Sequence, residues 1–116
     1  MAEHNMVDTV RTRSIGLPGR ALNSARTHHF VLDSSSGPSE ALTNSEAFLA
    51  GISSCGVTLI EKYAKEAGMA VTGMEITITG TRASNPARFQ AIAMRFEIHG
   101  VDKAAADRLV EVWQTR

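Results

Sequence analysis

Apolar and polar positions change period three times along this chain. Residues Val7–Ser14 (VDTVRTRS) alternate weakly, and Gly16, Pro18 and Gly19 follow as a turn cluster. Arg20–Thr27 and His28–Asp33 come next. In the second of these, Phe30 and Leu32 share one strand face while Val31 takes the other. The first 33 residues therefore predict two or three strands in a meander. SSSGPSEAL, with turn chemistry at Gly37–Pro38, delivers the chain into a different pattern. From Thr43 to Gly68 (TNSEAFLAGISSCGVTLIEKYAKEAG) no clean polar stripe appears before Glu61, which predicts one long buried helix. Thr43 with Glu46 three residues on is a capping-box start, and Gly68 after Lys65 and Glu66 is a glycine stop.

After Gly68 the period becomes two. Met74, Ile76 and Ile78 alternate with Glu75, Thr77 and Thr79, a half-buried strand over Met74–Arg82. Ala83–Ala87 is a turn, and Arg88–His99 is a second strand. Ile92, Met94, Phe96 and Ile98 point inward there, and Arg95, Glu97 and His99 outward, so the pair forms a β-hairpin. Asp102–Arg116 reads as a helix with Asp102 as N-cap and Ala105, Leu109, Val112 and Trp113 as its inner face. That helix meets no stop signal before Arg116, and a further C-terminal part of the native chain is expected.

Strands, long helix, hairpin and helix in that order define a single α+β domain over 1–116. A helix apolar on nearly every side needs cover on every side. One sheet of five or six strands and a short second helix cover only part of it. A partner subunit is expected to complete the core, most simply in a two-fold homodimer. Gly51, Ser53, Ser54, Gly56 and Thr58 would let another backbone approach closely.

Charge and composition narrow the functional classes. Twelve basic residues balance twelve acidic ones, so no overall field draws the chain to nucleic acid or an anionic membrane. No run of about 18 apolar residues exists to span a bilayer. MAEHNMVDT lacks the charged and apolar regions of a secretory leader. A single cysteine cannot form an intrachain disulfide, and a reducing, cytoplasmic setting follows. His28 and His29 are adjacent on a strand and point to opposite faces, so no metal or other cofactor is expected.

That cysteine, Cys55, has two readings: a small buried hydrophobe, or a thiol activated by a cation brought from elsewhere in the fold. It lies about three turns into the helix, beyond the reach of the dipole at the N-terminus. Glu46 is the nearest upstream carboxylate. Nine residues of straight helix put it roughly 13 Å away on the opposite face. A joint role therefore requires a kinked helix or a second subunit. Arg11, Arg13, Arg20 and Arg26 crowd the N-terminal strands. Arg20, at the far edge of the glycine-proline turn, is best placed to reach a neighbouring site.

GRALNSARTHHFVLD, then GPSEALTNSEAFLAGISSCGVTLIEKYAKEAGMAVTGMEITITG, then RFEIHGVDKAAADRL together resemble the OsmC/Ohr family of thiol-dependent hydroperoxide reductases, its OsmC-like branch above all. The resemblance implies an intertwined α+β homodimer with thiol sites at the subunit interface. It also implies that Cys55 attacks the peroxide O–O bond while an arginine and a glutamate hold it as thiolate. The peroxidases' glutamate falls on Ser45 by count, one residue before Glu46. Their arginine falls near Leu17, which Arg13 and Arg20 flank, and their second, resolving cysteine has no counterpart. The resulting assignment is a peroxidase with Cys55, Glu46 and Arg20 as site residues, a hydroperoxide substrate and an external thiol reductant. The alternative is a non-catalytic dimer that binds a small apolar ligand at the interface, with Cys55 as packing. Hydrolysis through an acyl intermediate on Cys55 is a third reading, weakened by the lack of a positioned histidine.

Overall fold

A computed structural model describes residues 5–115. Met1–His4, the start of the stretch read for a leader, and Arg116, the end of the last helix as read from sequence, lie outside the described residues. The elements are β1 (Arg11–Ser14), β2 (Arg20–Ala25), β3 (His28–Asp33), α1 (Asn44–Glu66), β4 (Gly73–Ala83), β5 (Arg88–His99) and α2 (Lys103–Thr115). The chain divides into two compact units, one up to Ala47 and the other from Phe48. Its strands form two sheets rather than one of five or six: an antiparallel β1-β2-β3 meander and an antiparallel β4-β5 pair.

In the first unit the register runs Arg11 to Ser24 and Arg13 to Leu22 between β1 and β2, then Ser24 to His29 and Arg20 to Asp33 between β2 and β3. A two-residue turn at Arg26–Thr27 joins β2 to β3, with Arg26 at a φ of 56°. Thr12 Oγ1 donates to Asn23 Oδ1 at 2.6 Å, which satisfies a buried amide. The turn before β2 and the loop after β3 touch backbone to backbone: a Cβ on Gly19 would come within 2.5 Å of the Gly37 Cα. Ser34 N–H donates to Gly19 O at 2.7 Å in the same place. Side chains at both positions would push the two segments apart.

α1 starts on the capping box that the sequence announces. Glu46 N–H donates to Thr43 Oγ1 at 3.1 Å, and Thr43 N–H to Glu46 Oε1 at 2.9 Å. It ends in a Schellman motif. Gly68, at a φ of 69°, donates to Lys65 O, and Met69 N–H donates to Ala64 O.

In the second unit α1 lays the stripe Gly56, Ile60 and Ala64 against Leu109 of α2. Tyr63, Met69, Val71, Met74, Phe96, Ile98, Val110 and Trp113 pack around that cluster. Trp113 meets Phe96 edge to face at 5.8 Å. Asp102 Oδ1 accepts the Ala105 N–H at 2.8 Å, so Asp102 is the N-cap of α2 as its side chain predicts. Within one chain α1 is buried along that single stripe and Phe48 stays 55% exposed, the partial cover expected of a single copy. The physical reason is geometric, since a two-stranded ribbon and one short helix cover one side of a cylinder.

The hairpin alternation also needs amendment. The register shifts between Thr81 and Arg82, so that Thr81 faces Ala91 while Arg82 faces Phe89, and Gln90 is the extra residue. Downstream of the bulge Met94, Phe96 and Ile98 are half-buried. Ile92, on the same strand face, is 41% exposed. Glu97 is also half-buried, and its carboxylate accepts from Arg95 at 2.8 Å. Upstream, the bulge turns Phe89 toward α1, where its ring stacks on Phe48 at 5.5 Å.

Candidate functional site

The rotation of α1 decides where Cys55 points. Gly56 is buried because Trp113 and Ile76 occupy the space that a side chain would need. A Cβ there would lie 3.0 Å from Ile76 Cδ1 and 3.3 Å from Trp113 Cζ2. One residue earlier is about 100° around the helix, and Cys55 is accordingly an exposed, free thiol. Gly51, Ser54 and Thr58 are exposed too, and their spacing of three and four residues puts all of them on one face with Cys55. Thr58 Oγ1 donates back to Ser54 O at 3.1 Å, so that hydroxyl is folded onto the helix. Ser53 does the same with Leu49 O and Ala50 O. Gly56, expected from sequence to admit a second backbone, is spent instead on Trp113 of its own chain. Beside the stripe lies an open groove of about 250 Å3 lined by Ser53, Ser54, Val57, Thr58 and Ile76.

The other two residues singled out from sequence lie in the first unit, and each has partners there. Arg20 donates through Nε to Asp33 Oδ1 at 2.6 Å and through Nη2 to Asp33 Oδ2 at 2.9 Å. Nη2 also donates to Glu40 Oε1 at 3.1 Å. Asp33 is fully buried, and its Oδ2 further accepts the backbone N–H groups of Glu40 and Ala41, both at 2.9 Å. Hydrogen bonds from Arg20 hold the Asp33 carboxyl well below the usual carboxylate range. Burial opposes this, and the two backbone donors reinforce it. Asp33 raises the Arg20 guanidinium in turn, mainly through the same bonds. A carboxylate with four donors is a clip. It fastens the loop 34–42 to β3, and Asp33 N–H to Leu42 O at 3.0 Å completes it one residue before the cap of α1.

Glu46 is exposed and accepts the Thr43 N–H, the part its position in the capping box assigns it. Sequence reasoning passed over Asp33 and Glu40. The first carries a readable signal, because Arg20 and Asp33 stand equally far from the Arg26–Thr27 turn and must face each other across β2 and β3. Among the described residues, no three His, Cys, Asp or Glu side chains gather in a way that would hold a metal ion. No described helix is long and apolar enough to cross a membrane.

A meander of three strands, a capped 23-residue helix with an exposed thiol on a small-residue face, a bulged hairpin and a closing helix define the class. Residues 37–116 match the family model described as OsmC-like protein, and the chain belongs to that family. The match takes in Glu46 and Cys55 but not Arg20. None of the curated proteins matches the chain by sequence. The fold is similar to several solved structures. An OsmC-like protein from Mycoplasma pneumoniae superposes with a TM-score of 0.87 at 14% identity, over 97% of this chain and 84% of that one. An organic hydroperoxide resistance protein OsmC from Legionella pneumophila does so with a TM-score of 0.78 at 15% identity, over 97% and 85%. The organic hydroperoxide resistance protein OhrB of Bacillus subtilis gives 0.68 at 14% identity, over 95% and 84%. At such identities the likeness concerns the fold.

Proposed function

We propose that this protein reduces hydroperoxides through Cys55, as part of a defence against oxidative stress. The observation that carries the reading is the exposed thiol at the centre of the face formed by Gly51, Ser54 and Thr58, in a family whose structural relatives include hydroperoxide resistance proteins. The Cys55 thiolate attacks the distal peroxide oxygen, the O–O bond breaks, and the alkoxide leaves with a proton as the alcohol. The sulfur is oxidised to sulfenic acid. With one cysteine in the chain, an external thiol condenses with the sulfenic acid and releases water. A second thiol then restores Cys55 and leaves as the disulfide. This chemistry suits the cytoplasm, where such thiols are kept reduced.

The same face of α1 is the part a second copy would cover, and a homodimer belongs to the reading. Small residues there let two helices approach closely, with both thiols near the contact. Of the two groups assigned to the thiol, Arg20 would have to abandon a bidentate pair with a buried carboxylate to act directly. Glu46 would give up one bond at an exposed cap. Because α1 is one unbroken helix, Glu46 can act only across the dimer, on the thiol of the other copy; we therefore assign it the part of holding a cation beside that thiol, and a positioning part to Arg20.

Oxygen uptake tests the reading. Intact mass after a stoichiometric pulse of cumene hydroperoxide is expected to show one added oxygen in the wild type and none in Cys55→Ser, with turnover on addition of a dithiol. Equal uptake and turnover in both proteins would sink it. The groove of Ser53, Ser54, Val57, Thr58 and Ile76 favours a second reading: a dimer that binds a small apolar ligand, with Cys55 as packing. In that case a hydrophobic ligand raises the melting temperature, while the thiol reacts with peroxide no faster than free cysteine.

A further inference from the structure

The N-terminal sheet gathers hydrogen-bond donors on one face for which the chemistry of Cys55 has no use. Arg11 of β1 stands opposite Ser24 of β2, and Ser24 stands opposite His29 of β3, so the three form a row across the sheet. Arg13 lies two residues beyond Arg11 and therefore on the same face, about 7 Å along the strand. Arg11, Arg13 and Ser24, with Thr12, line a groove of about 380 Å3. Both arginines are exposed, and neither takes part in the ion pairs found among the described residues. In a chain whose charges sum to zero, two neighbouring guanidiniums without a carboxylate are a local excess of positive charge.

Ser24 Oγ and His29 Nδ1 are 2.7 Å apart. When Nδ1 carries the proton and donates to Oγ, the Ser24 hydroxyl proton is left to point into the groove. The site then offers two planar forks and a hydroxyl, all donors, with no carboxylate among its lining residues. That set rejects cations and gives a purely apolar ligand nothing to bond. It matches oxygens carrying negative charge, which guanidinium forks grip in pairs. Charge on β1 also discourages strand pairing at a sheet edge. Edge protection accounts for a basic residue anywhere on that strand, but not for the concave row with Ser24 and His29.

We propose that the groove formed by Arg11, Arg13 and Ser24 binds an oxyanion, the carboxylate or phosphate group of a small molecule. The proposal is independent of the reaction assigned to Cys55. The test follows the Arg Nε–H and His29 ring signals of the full chain by NMR. Sodium phosphate and sodium acetate are added in separate titrations, with chloride holding ionic strength constant. Saturating shifts at Arg11, Arg13 and His29 are expected with at least one anion; saturation by phosphate alone assigns phosphorylated ligands, and by acetate alone carboxylates. Arg11→Ala/Arg13→Ala should weaken the binding at least about tenfold, as loss of charge-assisted bonds requires. Arg11→Lys/Arg13→Lys, which keeps the charge and loses the forks, should also weaken it, while the melting temperature of both variants stays near wild type. Shifts that rise linearly with either anion, or binding unchanged in both double variants, would overturn the proposal.

Discussion

Gly56 and Trp113 are matched surfaces: a Cβ on the glycine would sit 3.3 Å from Cζ2 of the indole and 3.4 Å from Cη2. The contact sets the azimuth of α1 and so turns Cys55 outward. Gly56→Ala trades about 1 kcal/mol of helix propensity against that crowding, and its net effect on unfolding free energy should stay under about 1 kcal/mol. Gly56→Val brings branches into the indole and should cost about 1–3 kcal/mol. Urea denaturation checks both. The valine variant should also change the rate at which Cys55 reacts with a disulfide reagent.

The clip at Asp33 predicts an acid sensitivity of known sign. Its carboxyl is held below its ordinary value of 3.8 in the folded chain, so the folded state binds fewer protons than the unfolded state at low pH. The stabilisation is complete above pH 3.8 and is lost as pH falls below it, toward the folded value. Melting temperature plotted against pH should therefore bend downward below about pH 4. Asp33→Asn should have a lower plateau and a shallower bend. An unchanged profile in that variant would place the acid sensitivity elsewhere.

The first turn of α1 separates capping from catalysis at Glu46. Thr43→Ala removes the acceptor for the Glu46 N–H and should cost about 1 kcal/mol. Glu46→Gln keeps an oxygen for the Thr43 N–H while removing the charge. Near-wild-type melting with a clear loss of peroxide consumption is expected of the glutamine variant. Unchanged consumption would restrict Glu46 to the cap.

Local chemistry is what the sequence made legible. Thr43, Glu46 and Gly68 each announce their role through their own side chain or its lack, and α1 begins and ends where they say. Asp102 does the same for α2. The Cys55 helix and the order of elements followed, and with them the family. Features set by pairing at a distance were harder to read. The Arg26–Thr27 turn uses a positive φ at an arginine, without the glycine or asparagine that usually marks such a place, so the facing of Arg20 and Asp33 went unseen. The extra residue at Gln90 leaves the alternation of β5 looking regular and hides the turn of Phe89 toward Phe48. For α1, apolar composition reports how much surface the helix wants covered, and not which chain covers it.

Among the described residues, the apolar side chains that α1 and α2 bury almost completely are Ile60, Ala64 and Leu109. So small a sealed core leaves much of α1 open within one chain. If the open face of α1 is closed by a second copy, folding and association share one equilibrium, and melting temperature climbs with protein concentration. The amount of protein in the cell would then act as a threshold. Scarce chains would be opened and degraded, while abundant ones would protect each other.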